Sequence, residues 1–186
     1  MSLLIDNAPK SVNIDGAEVE INSDFRTAIL FEQMMFDEDF PEHLKIANAL
    51  QLFYSVLPTN LNEAVDKLIW FYSCGKDREE SSSKQSENSR CYDFEYDDGY
   101  IYAAFMQNYK IDLMETGLHW HKFLALLKGL SGTMLNEIMG YRAYASSKQE
   151  KPEQQYRKLK YAWTPLPEET EEEKEAEEEF NQYFGS

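Results

Sequence analysis

The first regular pattern in the chain is a period of two between residues 11 and 22. In the stretch SVNIDGAEVEIN, Val12 and Ile14 alternate with polar residues, and the alternation resumes after an Asp-Gly pair. Such a pair between alternating apolar residues is the strongest short-range signal for a two-residue β-hairpin. Because a lone hairpin is barely stable in water, we expect it to pack on the rest of the domain.

After the hairpin the apolar positions follow the period of an α-helix, and the pattern predicts about six helices. Caps and prolines bound these helices near 24–37, 41–58, 60–75, 98–109, 117–130 and 131–144, with a last one beginning at Pro152. The apolar stripes that we expect to face the core include Met35 and Phe36, Leu44 and Met134. The sequence therefore predicts a mainly α fold with an N-terminal β-hairpin.

Large residues at the centres of these stripes are the predicted structural core. They are Phe25, Trp70, Ile101, Phe105, Trp120, Phe123, Leu127 and Ile138.

Two segments lack the composition of a packed core. Residues 76–90 contain no aliphatic or aromatic side chain, which predicts a disordered loop. Residues 168–186 carry nine glutamates against one lysine, which is typical of a solvated tail. We therefore predict one helical domain over residues 1–165, interrupted by the 76–90 loop, and an acidic C-terminal tail over 166–186.

The charge balance excludes several classes of function. The chain has 18 basic and 34 acidic residues, a net charge of −16, which disfavours binding to nucleic acid phosphates. No apolar stretch approaches the roughly 20 residues that span a bilayer, and the N-terminus does not resemble a signal peptide. These features indicate a cytoplasmic protein that binds neither nucleic acid nor membranes.

The stretch GLHWHKFLALLKGL, residues 117–130, places two histidines around a tryptophan. Successive helical residues turn by about 100°, so that His119 and His121 should point about 200° apart and could not share a metal. On this wheel His119 lies at the edge of the apolar stripe and is expected to be a hydrogen-bonded rim or core residue. His121 lies on the opposite flank and is expected to be mostly solvated.

Motifs that carry catalysis are missing from the sequence. There is no glycine-rich phosphate loop, and only His43, His119 and His121 could serve a histidine-dependent site. Neither cysteine lies in a recognisable nucleophile context, and no loop has the ligand spacing of a calcium site. We therefore predict a protein that is not an enzyme and has no catalytic residues, metal or cofactor. An alternative that the histidines leave open is a metalloenzyme, in which His119 would meet an Asp or Glu from another helix.

Four segments in this order carry a family resemblance: INSDFRTAILFEQMMFD, EAVDKLIWFYSCGK, YDFEYDDGYIYAAFMQNYKIDL and LHWHKFLALLKGL followed by IMGYR. Over about residues 10–165 the chain resembles the bacteriophage gene-product-fifteen family. Members of that family usually have His-Trp-Trp where this chain has His-Trp-His. They also usually have a glycine at the position of Lys110. The resemblance implies a small cytoplasmic phage or prophage protein of Gram-positive bacteria, encoded beside the tape-measure gene.

That position implies a non-enzymatic tail assembly chaperone, which would act in the host cytoplasm and be absent from the mature virion. The expected partner is the tape-measure protein, with other tail assembly proteins and self-association left open. Aromatic residues of the C-terminal quarter are the candidate partner-binding residues: Tyr156, Trp163, Phe180, Tyr183 and Phe184. The alternative function is an acidic DNA mimic that inhibits a nucleic-acid-binding protein of the host.

Overall fold

The computed structural model describes residues 4–75 and 91–143. Its elements in chain order are β1 (Ser11–Ile14), β2 (Ala17–Glu20), α1 (Phe25–Phe36), α2 (Glu42–Phe53), α3 (Leu61–Tyr72), α4 (Asp98–Tyr109), α5 (Trp120–Gly129) and α6 (Met134–Ala143). The predicted mainly α fold with an N-terminal hairpin is confirmed. The predicted loop at 76–90, the helix predicted from Pro152 and the acidic tail lie outside the described residues.

The hairpin forms where the alternation predicted it. β1 and β2 pair antiparallel, with Ile14 opposite Ala17 across the turn. Asp15 and Gly16 both have positive φ, +51° and +80°, which a two-residue hairpin turn of this hand requires. The N–H of Asp15 donates to the Glu63 carboxylate of α3 at 2.8 Å. The hairpin is thus fastened to α3 at its turn.

Local capping sets the start of two helices. The Asp24 carboxylate accepts a hydrogen bond from the Arg26 N–H at 2.9 Å and begins α1. The Asn60 side chain accepts from the Glu63 N–H at 3.2 Å and begins α3. Both side chains satisfy main-chain donors that a helix leaves open at its first turn.

A stack of aromatic rings joins three helices at the centre of the core. Phe123 of α5 lies between Phe25 of α1 and Phe105 of α4, with ring centroids 4.6 and 5.1 Å apart and planes within 15° of parallel. Trp120 packs beside Phe123 at 5.9 Å. All four rings are at most 5% exposed, so that the predicted α5 stripe supplies the centre of the domain.

The predicted inward faces of α1, α2 and α6 are partly wrong. Met35 and Phe36 are 40% and 67% exposed, Leu44 is 41% exposed, and Met134 is 49% exposed. On α2 the neighbouring Lys45 is buried instead, because its ammonium reaches the Met35 carbonyl at 3.2 Å and the Glu42 carboxylate at 2.6 Å.

On α6 the C-terminal turn buries Arg142, which is 4% exposed. Its guanidinium pairs with the fully buried Asp97 carboxylate at the start of α4. A buried cation is tolerated only where such partners exist, and these partners are distant in sequence. Asp97 occupies the cap position of α4, but its side chain makes no capping hydrogen bond.

Candidate interaction surface and the His-Trp-His junction

His119 is the cap of α5 rather than a residue within it. Its backbone is extended, with φ −63° and ψ 137°, and its Nδ1 accepts from the His121 N–H at 3.1 Å. Its other nitrogen, Nε2, lies 2.7 Å from the Pro9 carbonyl oxygen. Because a carbonyl only accepts, Nε2 carries the proton and donates. His119 therefore ties the N-terminal segment to α5, as expected for a hydrogen-bonded rim residue.

His121 departs from the sequence prediction. It is 1% exposed, and its Nε2 donates to the Phe71 carbonyl of α3 at 2.7 Å. The prediction that it is mostly solvated is wrong, because Phe71 of α3 packs against this flank of α5, with ring centroids 4.8 Å apart. Within the described residues Nδ1 of His121 has no hydrogen-bond partner. Burial lowers the pKa of both histidines, so that the neutral forms are favoured.

The two rings also lie closer than a common helix would place them. Their centroids are 4.8 Å apart, so that the expected separation of about 200° is wrong. Both Nε2 atoms face carbonyl oxygens, and Nδ1 of His119 is occupied by the cap. Among residues 4–75 and 91–143, no three side chains of His, Cys, Asp or Glu are grouped to hold a metal ion. The segment acts chemically as a hydrogen-bonded junction.

Trp120 completes this junction. Its indole N–H donates to the Tyr72 carbonyl at 2.9 Å, and its ring stacks on the Tyr72 ring at 5.4 Å. The flanking main chain pairs with the segment before α1, through Trp120 N–H to Ser23 O at 2.8 Å and Phe25 N–H to Leu118 O at 2.9 Å. Three consecutive side chains thus join α5 to α3 and to the N-terminal segment.

The main candidate for binding is a set of exposed apolar side chains on α1, on α2, in the α2–α3 connection and at the first residue of α3. We call it the apolar outer surface and define it by residues Leu30, Met35, Leu44, Ile46, Val56, Leu57 and Leu61. Ile46 is 61% exposed and Val56 79% exposed, although the domain beneath has a complete core. Such surfaces on folded proteins commonly mark binding sites.

The position of this surface follows from the packing of α1 on α2. The buried Lys45 ammonium joins the C-terminal turn of α1 to the first turn of α2, which brings Leu44 beside that turn. Twelve residues of α2 extend over about 18 Å, and Val56 and Leu57 follow its far end. The exposed apolar side chains therefore lie at both ends of α2, with Leu44 and Ile46 on different faces of the helix.

Seven of the eight core residues that the sequence predicts are buried. Phe25, Ile101, Phe105, Trp120, Phe123, Leu127 and Ile138 are all at most 7% exposed. Trp70 is only partly buried and packs at the margin of the core, beside β1. The candidate partner-binding residues Tyr156, Trp163, Phe180, Tyr183 and Phe184 lie outside the described residues.

Sequence reasoning missed the apolar outer surface. The helical pattern places Leu44 and Met35 in the core and does not distinguish Ile46. The available signal was that α2 carries more apolar residues than one stripe can bury, with Leu44, Ile46, Leu50 and Phe53 spread around the helix.

The described fold is that of a small α-helical domain with a hairpin at its N-terminal side. Comparison with protein families matches residues 4–164 to the family described as Bacteriophage Gp15 protein. The chain therefore belongs to the Bacteriophage Gp15 protein family and is a bacteriophage protein. No curated protein and no solved structure matches it. In the part of the chain that the structure describes, no helix has the length and apolar character needed to cross a membrane.

Proposed function

We propose that this chain is a non-enzymatic tail assembly chaperone that binds the tape-measure protein in the host cytoplasm. The observation that carries the proposal is the apolar outer surface, which remains exposed on a domain with a complete core. Membership of a phage family supports a role in building the phage particle.

The physical reasoning concerns the partner's exposed surface. A long helical tape-measure protein exposes apolar seams until tail subunits surround it, and unprotected seams aggregate. Leucine, isoleucine and methionine along α1 and α2 can cover such a seam. The net charge of −16 keeps the complex soluble and favours a basic partner.

The test is co-expression with the tape-measure protein of the same phage. The wild-type chain should increase soluble tape measure, whereas the triple variant Leu44→Gln, Ile46→Gln, Leu57→Gln should not. Met114→Gln is the matched control, because Met114 is 81% exposed but lies outside the apolar outer surface. All these side chains are exposed, so that the variants should unfold within about 0.5 kcal/mol of the wild type.

A second arm tests the acidic tail. Removing residues 168–186 should weaken capture more at low salt than at high salt, because the Debye length falls from about 30 Å at 0.01 M to about 10 Å at 0.1 M. If the triple variant captures tape measure as well as the wild type, the apolar outer surface is not the binding site. If the full chain leaves tape-measure solubility unchanged and competes with duplex DNA for a host protein, it is a DNA mimic instead.

A further inference from the structure

The outer edge of β1 carries main-chain groups directed away from its partner strand. The Ile21 N–H donates to the Lys10 carbonyl at 2.9 Å, which extends the register of β1 on β2 by one pair. In an antiparallel ladder, hydrogen-bonded and non-hydrogen-bonded pairs alternate. The even-numbered residues of β1 therefore bond to β2, and the N–H and C=O of Ser11 and Asn13 point outward.

These outward groups face a groove beside α3. It has a volume of about 270 Å³ and is lined by Ser11, Val12, Asn13, Asp66, Lys67 and Trp70. Among the hydrogen bonds of residues 4–75 and 91–143, none involves the main-chain N–H or C=O of Ser11 or Asn13 on the groove side. A sheet edge of this kind is a template for a further strand.

The two edges of the hairpin differ in how well they are protected. β2 presents Glu18 and Glu20 beside its outward main-chain groups, and charged side chains on an edge discourage strand addition. β1 presents the uncharged Ser11 and Asn13 instead. The partly buried Trp70 ring also gives the groove beside β1 an apolar wall. The described contacts place no such ring beside the outer edge of β2.

Charge around the groove indicates the chemistry of the occupant. Two residues on its α3 side, Asp66 and Lys67, balance each other. Two more carboxylates lie beside its lining residues: Glu18 accepts from the Ser11 hydroxyl, and Glu63, one turn before Asp66 and Lys67 on α3, accepts from the Asp15 N–H. Lys10 directly precedes Ser11 in the sequence and adds one positive charge. The net local charge is negative and favours a strand that carries lysine or arginine.

We propose that the edge of β1 binds an extended, basic segment of a partner protein as a third strand. Main-chain hydrogen bonds to Ser11 and Asn13 would supply affinity, while Trp70 and the surrounding carboxylates would select the side chains. This surface is separate from the apolar outer surface, and the inference does not depend on the chaperone proposal.

The probe is a short peptide of alternating lysine and valine, titrated into the full-length chain and followed by NMR. Binding should protect the amides of Ser11 and Asn13 from exchange and leave those of Glu18 and Glu20 unprotected. A peptide with N-methylated main-chain amides should not bind, because it lacks the donors. A glutamate–valine peptide should bind at least about tenfold more weakly, since its charge repels the site.

Proline variants test the edge from the protein side. Asn13→Pro removes an outward N–H and should weaken binding about tenfold, whereas Asn13→Ala keeps that N–H and should bind normally. The alanine variant also controls for the lost bond from the Gly16 N–H to the Asn13 side chain. Glu18→Pro alters the opposite edge and should bind as Glu18→Gln does.

Equal binding by Asn13→Pro and Asn13→Ala, or full binding of the N-methylated peptide, would overturn the proposal. The peptide comparison uses the unaltered chain, so that it remains decisive if Asn13→Pro fails to fold. If the chain dimerises and Asn13→Pro abolishes the dimer, the edge binds a second copy of the chain. The basic segment is then rejected as its occupant.

Discussion

Replacing Arg142 with methionine should destabilise the fold strongly, because it leaves the Asp97 carboxylate buried without its counter-charge. Asp97 is 0% exposed and Arg142 is 4% exposed. The guanidinium makes two parallel hydrogen bonds to the carboxylate, with Nη2 to Oδ1 at 2.9 Å and Nη1 to Oδ2 at 2.5 Å. In Arg142→Met the carboxylate keeps only the hydrogen bond from the Asp93 N–H among those described, at 2.8 Å.

The expected loss is about 3–5 kcal/mol, the usual cost of removing one partner from a buried pair. That is a large part of the roughly 5–15 kcal/mol that stabilises a typical domain. Urea unfolding measures it: with a slope of about 2 kcal/mol per molar, the midpoint should fall by about 2 M.

The double variant Asp97→Leu, Arg142→Met is the control, since it removes both charges. We expect it to regain most of the lost stability, because a well-packed apolar pair often replaces a buried ion pair at little cost. A loss below about 1 kcal/mol in Arg142→Met would mean that water reaches Asp97 and that the pair contributes as a surface salt bridge does.

Three further predictions concern the junction and a helix end. Trp120→Ala should cost about 3–5 kcal/mol in urea unfolding, because a buried ring and its bond to the Tyr72 carbonyl are lost; a cost below about 1 kcal/mol would place the ring in solvent. Lys110→Gly should stabilise by about 0.5–1 kcal/mol, because Lys110 ends α4 with φ +57°, a conformation that glycine adopts without strain; a loss of stability would refute this. Burial lowers the folded-state pKa of His119 and His121 below the ordinary 6.5, so that the unfolded chain binds more protons as the pH falls through this range. Stability present above pH 6.5 should therefore decline below it, and His121→Phe should reduce the difference between unfolding at pH 7.5 and pH 5.5.

Features that depend on neighbouring residues were predictable from the sequence. The hairpin turn needs two residues that tolerate positive φ, and Asp15-Gly16 supplies them wherever the hairpin packs. Asp24 and Asn60 begin their helices through bonds to N–H groups two or three residues away. The α5 stripe was also predictable, since its large apolar residues leave one face to bury.

The tertiary structure decided which polar residues are buried. Helical periodicity fixes which side chains share a face, but it does not say that Lys45 finds a carbonyl on α1 or that Arg142 finds Asp97, 45 residues earlier. Leu44, beside Lys45, and Met134, at the first residue of α6, are exposed in the same structure.

In the His-Trp-His segment, too, part of the structure is predictable from the sequence and the rest depends on tertiary contacts. The sequence pattern predicts a helix with Trp120 on its buried face, but contacts with distant segments determine the surroundings of both histidines. Because the main chain at His119 pairs with the segment before α1, its backbone is extended and α5 begins at Trp120, after the predicted start near residue 117. His121 packs against Phe71, where burial lowers its pKa and favours the neutral form, while the hydrogen bond to the Phe71 carbonyl acts in the opposite direction. This result depends on α3 and not on the residues beside His121.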